Sequence, residues 1–179
     1  MTNLIRKKSI IEKMRKEFDE KVRGPAIEEN PSDADLSKMD FMRKHMTLES
    51  AFELDYCNQV MLEGLRILPA SPQSQYYECT DDVKLGKFKF DKGDLFAVAI
   101  EPFSHNPTQW QRPLEFLPER FDHNDPLYLT PDGKKRHSFA MIPFLGGPRI
   151  CFGKTLAEIT MKVSITHFTQ MFDFEFEDP

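Results

Sequence analysis

The chain begins with a helical pattern of apolar residues. On one face they recur every three, four or seven positions, at Leu4, Ile11, Met14, Phe18 and Val22. This spacing predicts an amphipathic helix that is buried on one side. Gly24-Pro25 then predicts its end, and an acidic loop from residue 28 to residue 35 leads to a short second helix near residues 36–45.

A third helix is predicted from Thr47 onwards. Thr47 has the side chain of an N-cap residue. Pro69 and Pro72 mark the end of the helix, because proline cannot continue one. Its apolar face contains Leu54, Cys57, Met61, Leu65 and Leu68.

Three short apolar segments follow and predict a small antiparallel β-meander. They are Val83–Leu85, Phe88–Phe90 and Leu95–Ile100, separated by Gly86 and by residues 91–94. Alternation and turn residues both favour strands here. The predicted fold class is therefore mainly α with a small antiparallel β-meander (α+β).

Residues 101–147 show little periodicity, and a loop of this length is usually functional. A last helix is predicted from about Gly153. Its polar residues lie on one narrow stripe, and apolar residues take most of the remaining circumference, which predicts a helix deep in a core. The stripe consists of Lys154, Glu158, Lys162, Thr166 and Gln170.

Composition narrows the possible functions. With 179 residues and a net charge of -5, the chain fits one globular domain and does not suggest a nucleic-acid partner. No apolar run approaches the roughly 20 residues of a membrane span. The chain has three cysteines, Cys57, Cys79 and Cys151, in a spacing that argues against a disulfide framework or a zinc site and favours an intracellular protein.

Cys151 lies in an unusual setting. It follows two glycines and Arg149 and directly precedes the last helix. A thiol near a helix N-terminus is favoured as thiolate, the form that ligates iron, and the glycines would let a flat cofactor approach. Phe144 could cover the sulfur, and Arg149 could bind a carboxylate. Two alternatives are a buried, unreactive thiol and a catalytic nucleophile, although no histidine has an evident place as its base.

Residues 144–153 resemble the F-x-x-G-x-R-x-C-x-G motif of the cytochrome P450 family, through Phe144, Gly147, Arg149, Cys151 and Gly153. The resemblance implies that Cys151 is the axial ligand of haem iron and that the other four residues help to bind the cofactor. Leu145 departs from the motif, because that position is usually small or polar. Tyr76 departs as well, at a position where many members carry an arginine that binds a haem propionate.

Two further motifs agree with this resemblance in order and spacing. Glu63-Gly64-Leu65-Arg66 is similar to the E-x-x-R motif, and residues 116–121 are similar to a third family motif that contains Arg120. The resemblance implies a structural cluster of Glu63, Arg66 and Arg120 that holds the cysteine loop in place. Without the resemblance, Glu63 and Arg66 would be interpreted as an ordinary surface pair.

The resemblance implies a haem-thiolate monooxygenase that acts on an apolar small molecule and dioxygen, with NADPH supplying electrons through a reductase. It also implies that residues 1–179 are the C-terminal part of one such domain, without the N-terminal half and the oxygen-activating helix. No catalytic residue is therefore predicted within the chain. The full-length product would be intracellular, at the endoplasmic reticulum membrane. The alternatives are a non-catalytic or haem-binding fragment and a structural module.

Overall fold

The computed structural model describes residue 4, residues 6–175 and residue 177. The chain divides into two compact units, each assembled from segments that are distant in sequence. The first unit comprises Met1–Glu63, Phe116–Asp125 and Phe152–Pro179, and the second comprises Gly64–Glu115 and Pro126–Cys151. The predicted fold class is confirmed, since helices predominate and the strands form two small antiparallel sheets.

The first helical segment of unit one is longer than predicted. Helix α1 (Lys8–Phe18) continues through a π-helical turn (Asp19–Arg23) into α2 (Gly24–Glu29). The prediction that Gly24-Pro25 ends the helix is wrong. The Gly24 N–H bonds to the carbonyl of Asp19, and Pro25 lies in the first turn of α2, where no backbone donor is required.

The predicted third helix is two helices. After a 3-10 turn (Pro31–Asp35) and α3 (Lys38–His45), Thr47 caps α4 (Leu48–Glu53), and α5 (Asp55–Ile67) follows after a break at Leu54. Thr47 forms a capping box with Ser50, as its residue type suggested.

A carboxylate from α1 explains where α5 begins. Glu17 accepts hydrogen bonds from the backbone N–H groups of Tyr56 and Cys57, at 2.6 and 3.0 Å. These groups are among the donors that the first turn of a helix leaves unsatisfied. Glu17 therefore caps α5 from a distant part of the chain, and local sequence gives no sign of this contact.

The last helix, α7 (Lys154–Met171), contacts α1, α3 and α4 in unit one. The prediction of a helix deep in a core is wrong. Lys162 and Thr166 of its polar stripe are buried, whereas Leu156 and Phe168 are exposed. The inward hydroxyls have partners close by: Thr166 Oγ1 lies 3.3 Å from the sulfur of Cys57, and the Thr169 hydroxyl donates to the carbonyl of Ile165.

The second unit contains four strands in two sheets. Strands β2 (Val83–Leu85) and β3 (Phe88–Phe90) form the predicted antiparallel hairpin, with Lys84 opposite Lys89. Strand β4 (Leu95–Phe96) pairs instead with β1 (Tyr77–Glu78). The third predicted segment of the meander is therefore not paired with the hairpin. The cause is local: the backbone of Cys79 exchanges hydrogen bonds with Gly93 and Asp94 and aligns β4 with β1.

The long loop contains short helical turns rather than regular elements. These are α6 (Glu101–Ser104) and 3-10 turns at Pro126–Tyr128 and Gly147–Arg149 in unit two, and one at Pro118–Phe121 in unit one. Among the residues that the structure describes, no helix is both long and apolar enough to cross a membrane.

Candidate functional site

The cysteine loop is closed by its own backbone. The N–H of Cys151 donates to the carbonyl of Phe144 at 2.9 Å, and the N–H of Leu145 donates to the carbonyl of Ile142 at 2.9 Å. Between these bonds, Gly147–Arg149 forms a 3-10 turn. The loop is therefore a tight turn that ends at the cysteine.

Two residues of this loop have left-handed backbone conformations. Gly147 has φ +66°, and Leu145 has φ +60°. Only glycine adopts this region without a steric penalty, so Gly147 matches its position while Leu145 is strained. Gly146 has a different role: a Cβ there would lie 3.2 Å from the ring of Phe139. The departure of Leu145 from the motif thus falls at a position where the backbone favours glycine.

The thiol of Cys151 is accessible, in contrast to the other two cysteines. Cys151 is exposed, whereas Cys57 and Cys79 are buried. Burial raises the pKa of the Cys57 thiol to about 11. Cys151 precedes α7 by three residues, and Gly153 occupies the N-cap position of that helix. A single exposed thiol on a glycine-shaped loop is suited to ligation of a metal centre from one side.

The other predicted cofactor residues lie in the same part of the sequence. Arg149 is exposed at the end of the 3-10 turn, and Phe144 is half-buried. Tyr76, at the second departure, is exposed. The roles of Phe144, Gly147, Arg149 and Gly153 toward a cofactor remain predictions.

Glu63 and Arg120 form a buried ion pair within unit one. Glu63 Oε1 accepts from Nε of Arg120 at 3.0 Å, and both side chains are 0% exposed. The same oxygen accepts from the backbone N–H of Leu117 at 2.8 Å. Glu63 thereby fixes the start of the 3-10 turn that carries Arg120.

Arg66 lies in unit two and binds backbone carbonyls there. Its guanidinium donates to the carbonyls of Ser104, Pro113 and Glu115, at 2.8, 2.7 and 3.2 Å. Its Cζ lies 5.2 Å from the ring centroid of Trp110. One buried cation thus organises residues 104–115. The predicted three-residue cluster with Glu63 and Arg120 stays a prediction.

Arg136 completes the packing around Trp110 and is a residue that the sequence did not single out. Its guanidinium carbon lies 4.3 Å from the Trp110 ring centroid and 5.1 Å from that of Tyr128. The indole N–H of Trp110 lies 3.2 Å from the carbonyl oxygens of Phe103 and Ala140. The only signal in the sequence is the basic run at residues 134–136, which by itself suggests a solvated face.

Glu119 of the third motif connects to α1 and α5 within unit one. Lys13 Nζ donates to its carboxylate at 2.7 Å, and the Tyr56 hydroxyl donates at 3.3 Å. Burial raises the pKa of the Glu119 carboxyl, but the hydrogen bond from Lys13 and the other donors outweigh it and leave that pKa below its ordinary value. Glu119 is therefore ionised at neutral pH.

Comparison with known proteins identifies related chains. The family model for cytochrome P450 matches residues 1–179. Mouse cytochrome P450 3A11 is 30% identical over 129 residues, covering 72% of this chain and 24% of that protein. A putative cytochrome P450 120 from Synechocystis sp. is 34% identical over 135 residues, covering 74% of this chain and 28% of that protein. The cat steroid 17-alpha-hydroxylase/17,20 lyase is 31% identical over 133 residues, covering 74% and 25%. The matched region thus spans about a quarter of each relative.

Proposed function

The chain belongs to the cytochrome P450 family, and we propose that it binds haem through the thiolate of Cys151. The observation that carries the proposal is the exposed Cys151 at the end of a closed, glycine-shaped loop. Thiolate is the proximal ligand of haem in P450s. The donor chemistry of the loop therefore fits the cofactor.

Two side chains of the loop support the same cofactor. Arg149 is a permanent cation in an exposed position two residues before Cys151, where a propionate carboxylate could meet it. Phe144 provides the carbonyl that holds the Cys151 N–H, so its backbone fixes the ligand. Gly147 provides the residue with positive φ that the turn requires, and Gly153 is the N-cap residue of α7.

The buried cations beyond the loop have a positioning role in this proposal. Arg120 is held by Glu63 in unit one, and Arg66 holds the carbonyls of residues 104–115 in unit two. Such fixed charges keep long irregular segments in one conformation. From the family resemblance, we propose that Glu63, Arg66 and Arg120 also hold the cysteine loop in place.

We further propose that residues 1–179 are the C-terminal part of one P450 domain whose whole is a monooxygenase. When bound, the haem would support insertion of one atom of dioxygen into an apolar substrate while the other is reduced to water, with electrons from NADPH delivered through a reductase. The matched region covers about a quarter of the curated relatives, so substrate choice and oxygen activation are proposed for the whole protein only. We also propose that the whole protein lies at the endoplasmic reticulum membrane.

The thiolate assignment is tested by haem titration of the 179-residue chain. We expect the reduced, carbon monoxide-treated complex to show the red-shifted absorption band of a thiolate-ligated haem. Cys151→Ser should abolish that band. Cys79→Ala is the matched control, because Cys79 is buried and its hydrogen bonds to Gly93 and Asp94 use only backbone atoms. A band that survives in Cys151→Ser, or disappears in Cys79→Ala, would contradict the assignment.

A further inference from the structure

Lys162 is a largely buried residue of α7 in unit one. The residue is 8% exposed, and its ammonium nitrogen lies 5.3 Å from the ring centroid of Phe52. No carboxylate in the described part of the chain forms an ion pair with it. An anionic group placed beside this ammonium would therefore meet a cation that no carboxylate of the described chain already pairs with, and a charge-assisted hydrogen bond to it would be favourable.

The lysine lines a cavity in unit one. The cavity has a volume of about 290 Å³ and is formed by α7 together with residues from α4 and α5. Phe52, Leu62 and Ile159 give it apolar walls, and Asn58 and Thr155 add an amide and a hydroxyl. A volume close to the lower end of the roughly 300–1,000 Å³ range of ligand pockets suits a small molecule.

The side chains that line the cavity indicate which class of ligand would bind. One ammonium group with neighbouring amide and hydroxyl donors matches a single carboxylate head, and the apolar walls match a short alkyl or aryl body. Glu158 also lines the cavity and disfavours anions, but its carboxylate lies 3.9 Å from Lys154, which partly offsets that charge. A dianion such as phosphate would face only one cation of the cavity wall, Lys162, and the nearby carboxylate of Glu158.

We propose that this cavity is a binding site for a small organic carboxylate, with Lys162 binding the carboxylate group. The site lies wholly within unit one and uses none of the residues of the cysteine loop. It is therefore independent of the haem proposal, and either can fail without the other.

The probe is hexanoate, with hexan-1-ol as the neutral control of the same chain length. Titration of the 179-residue chain, followed by saturation-transfer NMR, should show hexanoate binding at least about tenfold tighter than hexanol, as expected for a charge-assisted contact. Equal binding of the two compounds would overturn the proposal, because the apolar walls alone would then account for it.

Variants separate the charge from the shape of the site. Lys162→Met should lose the preference for hexanoate, and Lys162→Arg should keep it. Glu158→Gln should tighten hexanoate binding, since it removes the like charge in the cavity. Lys16→Met on the exposed face of α1 is the matched control and should bind as the wild type does. Unchanged hexanoate binding by a folded Lys162→Met would contradict the proposal.

A second measurement needs no variant. In reductive methylation with mass spectrometry, saturating hexanoate should slow modification of Lys162 several-fold and leave modification of Lys16 unchanged. Equal rates at Lys162 with and without hexanoate would overturn the proposal even if Lys162→Met does not fold.

Discussion

The carboxylate of Glu63 lies 3.0 Å from Nε of Arg120, and neither side chain is exposed to solvent. A buried pair of this kind is not in itself a large source of stability, because both charges lose their hydration. Its effect is that the free-energy cost of burying either charge is offset by the presence of the other. An isolated charge at either position would be left in a low-dielectric interior.

We therefore expect Arg120→Met and Glu63→Leu each to lower the free energy of unfolding by about 3–5 kcal/mol, because each removes one partner of a buried ion pair. The double variant should cost clearly less than the sum of the two single changes. Chemical denaturation of all four proteins measures this coupling. Lys16→Ala, which removes an exposed i,i+4 pair with Glu20, is the control and should change stability by under about 0.5 kcal/mol. Additive effects of the two buried changes would contradict the prediction.

Leu145 and Gly147 predict opposite effects of substitution. Both have positive φ, at +60° and +66°, but only one is glycine. Leu145→Gly relieves a left-handed conformation that costs about 1–2 kcal/mol. Glycine also makes the unfolded chain more flexible, which offsets part of this gain, so we expect a net increase in stability of up to about 1 kcal/mol. Gly147→Ala should destabilise the chain by about 1–2 kcal/mol although its Cβ would meet no atom within 4 Å. Thermal unfolding with circular dichroism measures both, and effects of the same sign would contradict the backbone explanation.

The three thiols should react at very different rates. At neutral pH we expect a maleimide to modify Cys151 first, because it is exposed. Cys57 should be protected in the folded chain, since burial excludes the reagent and raises the pKa of its thiol to about 11. Mass spectrometry of digested samples identifies the modified residue, and denaturation should make all three cysteines react. Saturating haem should protect Cys151 selectively, and modification of Cys151 that is unaffected by haem would argue against the ligand assignment.

We expect Glu119 to contribute to stability in a way that depends on pH. The pKa of its carboxyl is lower in the folded chain than its ordinary value of about 4.3. The contribution is therefore complete above that ordinary value and is lost as the pH falls through the lower, folded-state pKa. Because Lys13 and Glu119 are partly exposed, we expect Glu119→Gln to cost under about 1 kcal/mol at pH 7.

Urea unfolding at pH 7 and near pH 3 measures this dependence. The difference between wild type and Glu119→Gln should shrink toward acid pH, because the wild-type carboxyl becomes neutral as well. The difference in unfolding free energy between wild type and Lys13→Met should shrink toward acid pH in the same way. A difference that grows as the pH falls would contradict the direction of the pKa shift.

Local chemistry in the sequence predicts several elements of the fold. Thr47 acts as an N-cap because its hydroxyl can reach the N–H of Ser50, and Gly86 permits the turn of the β2–β3 hairpin with φ +60°. Cys151 stands out because glycines and an arginine surround it. In each case the decisive interaction lies within a few residues of the pattern.

Features that depend on distant residues could not be predicted in the same way. The break at Leu54 matches a cap supplied by Glu17, which lies almost forty residues earlier. The inward position of Lys162 and Thr166 depends on Cys57 and Phe52, although amphipathic spacing alone favours an outward polar stripe. Arg66 was predicted to pair with a carboxylate, and its contacts to three carbonyls depend on the path of a loop without periodicity.

The guanidinium of Arg66 also determines how the loop from Ser104 to Glu115 can open. Its carbonyl partners lie at both ends of that segment, so detaching either end breaks a hydrogen bond to the same buried guanidinium. Residues 104–115 should therefore behave as a single cooperative unit in native-state hydrogen exchange, with backbone amides that share one opening free energy instead of fraying from the ends. An irregular loop can in this way open as cooperatively as a helix.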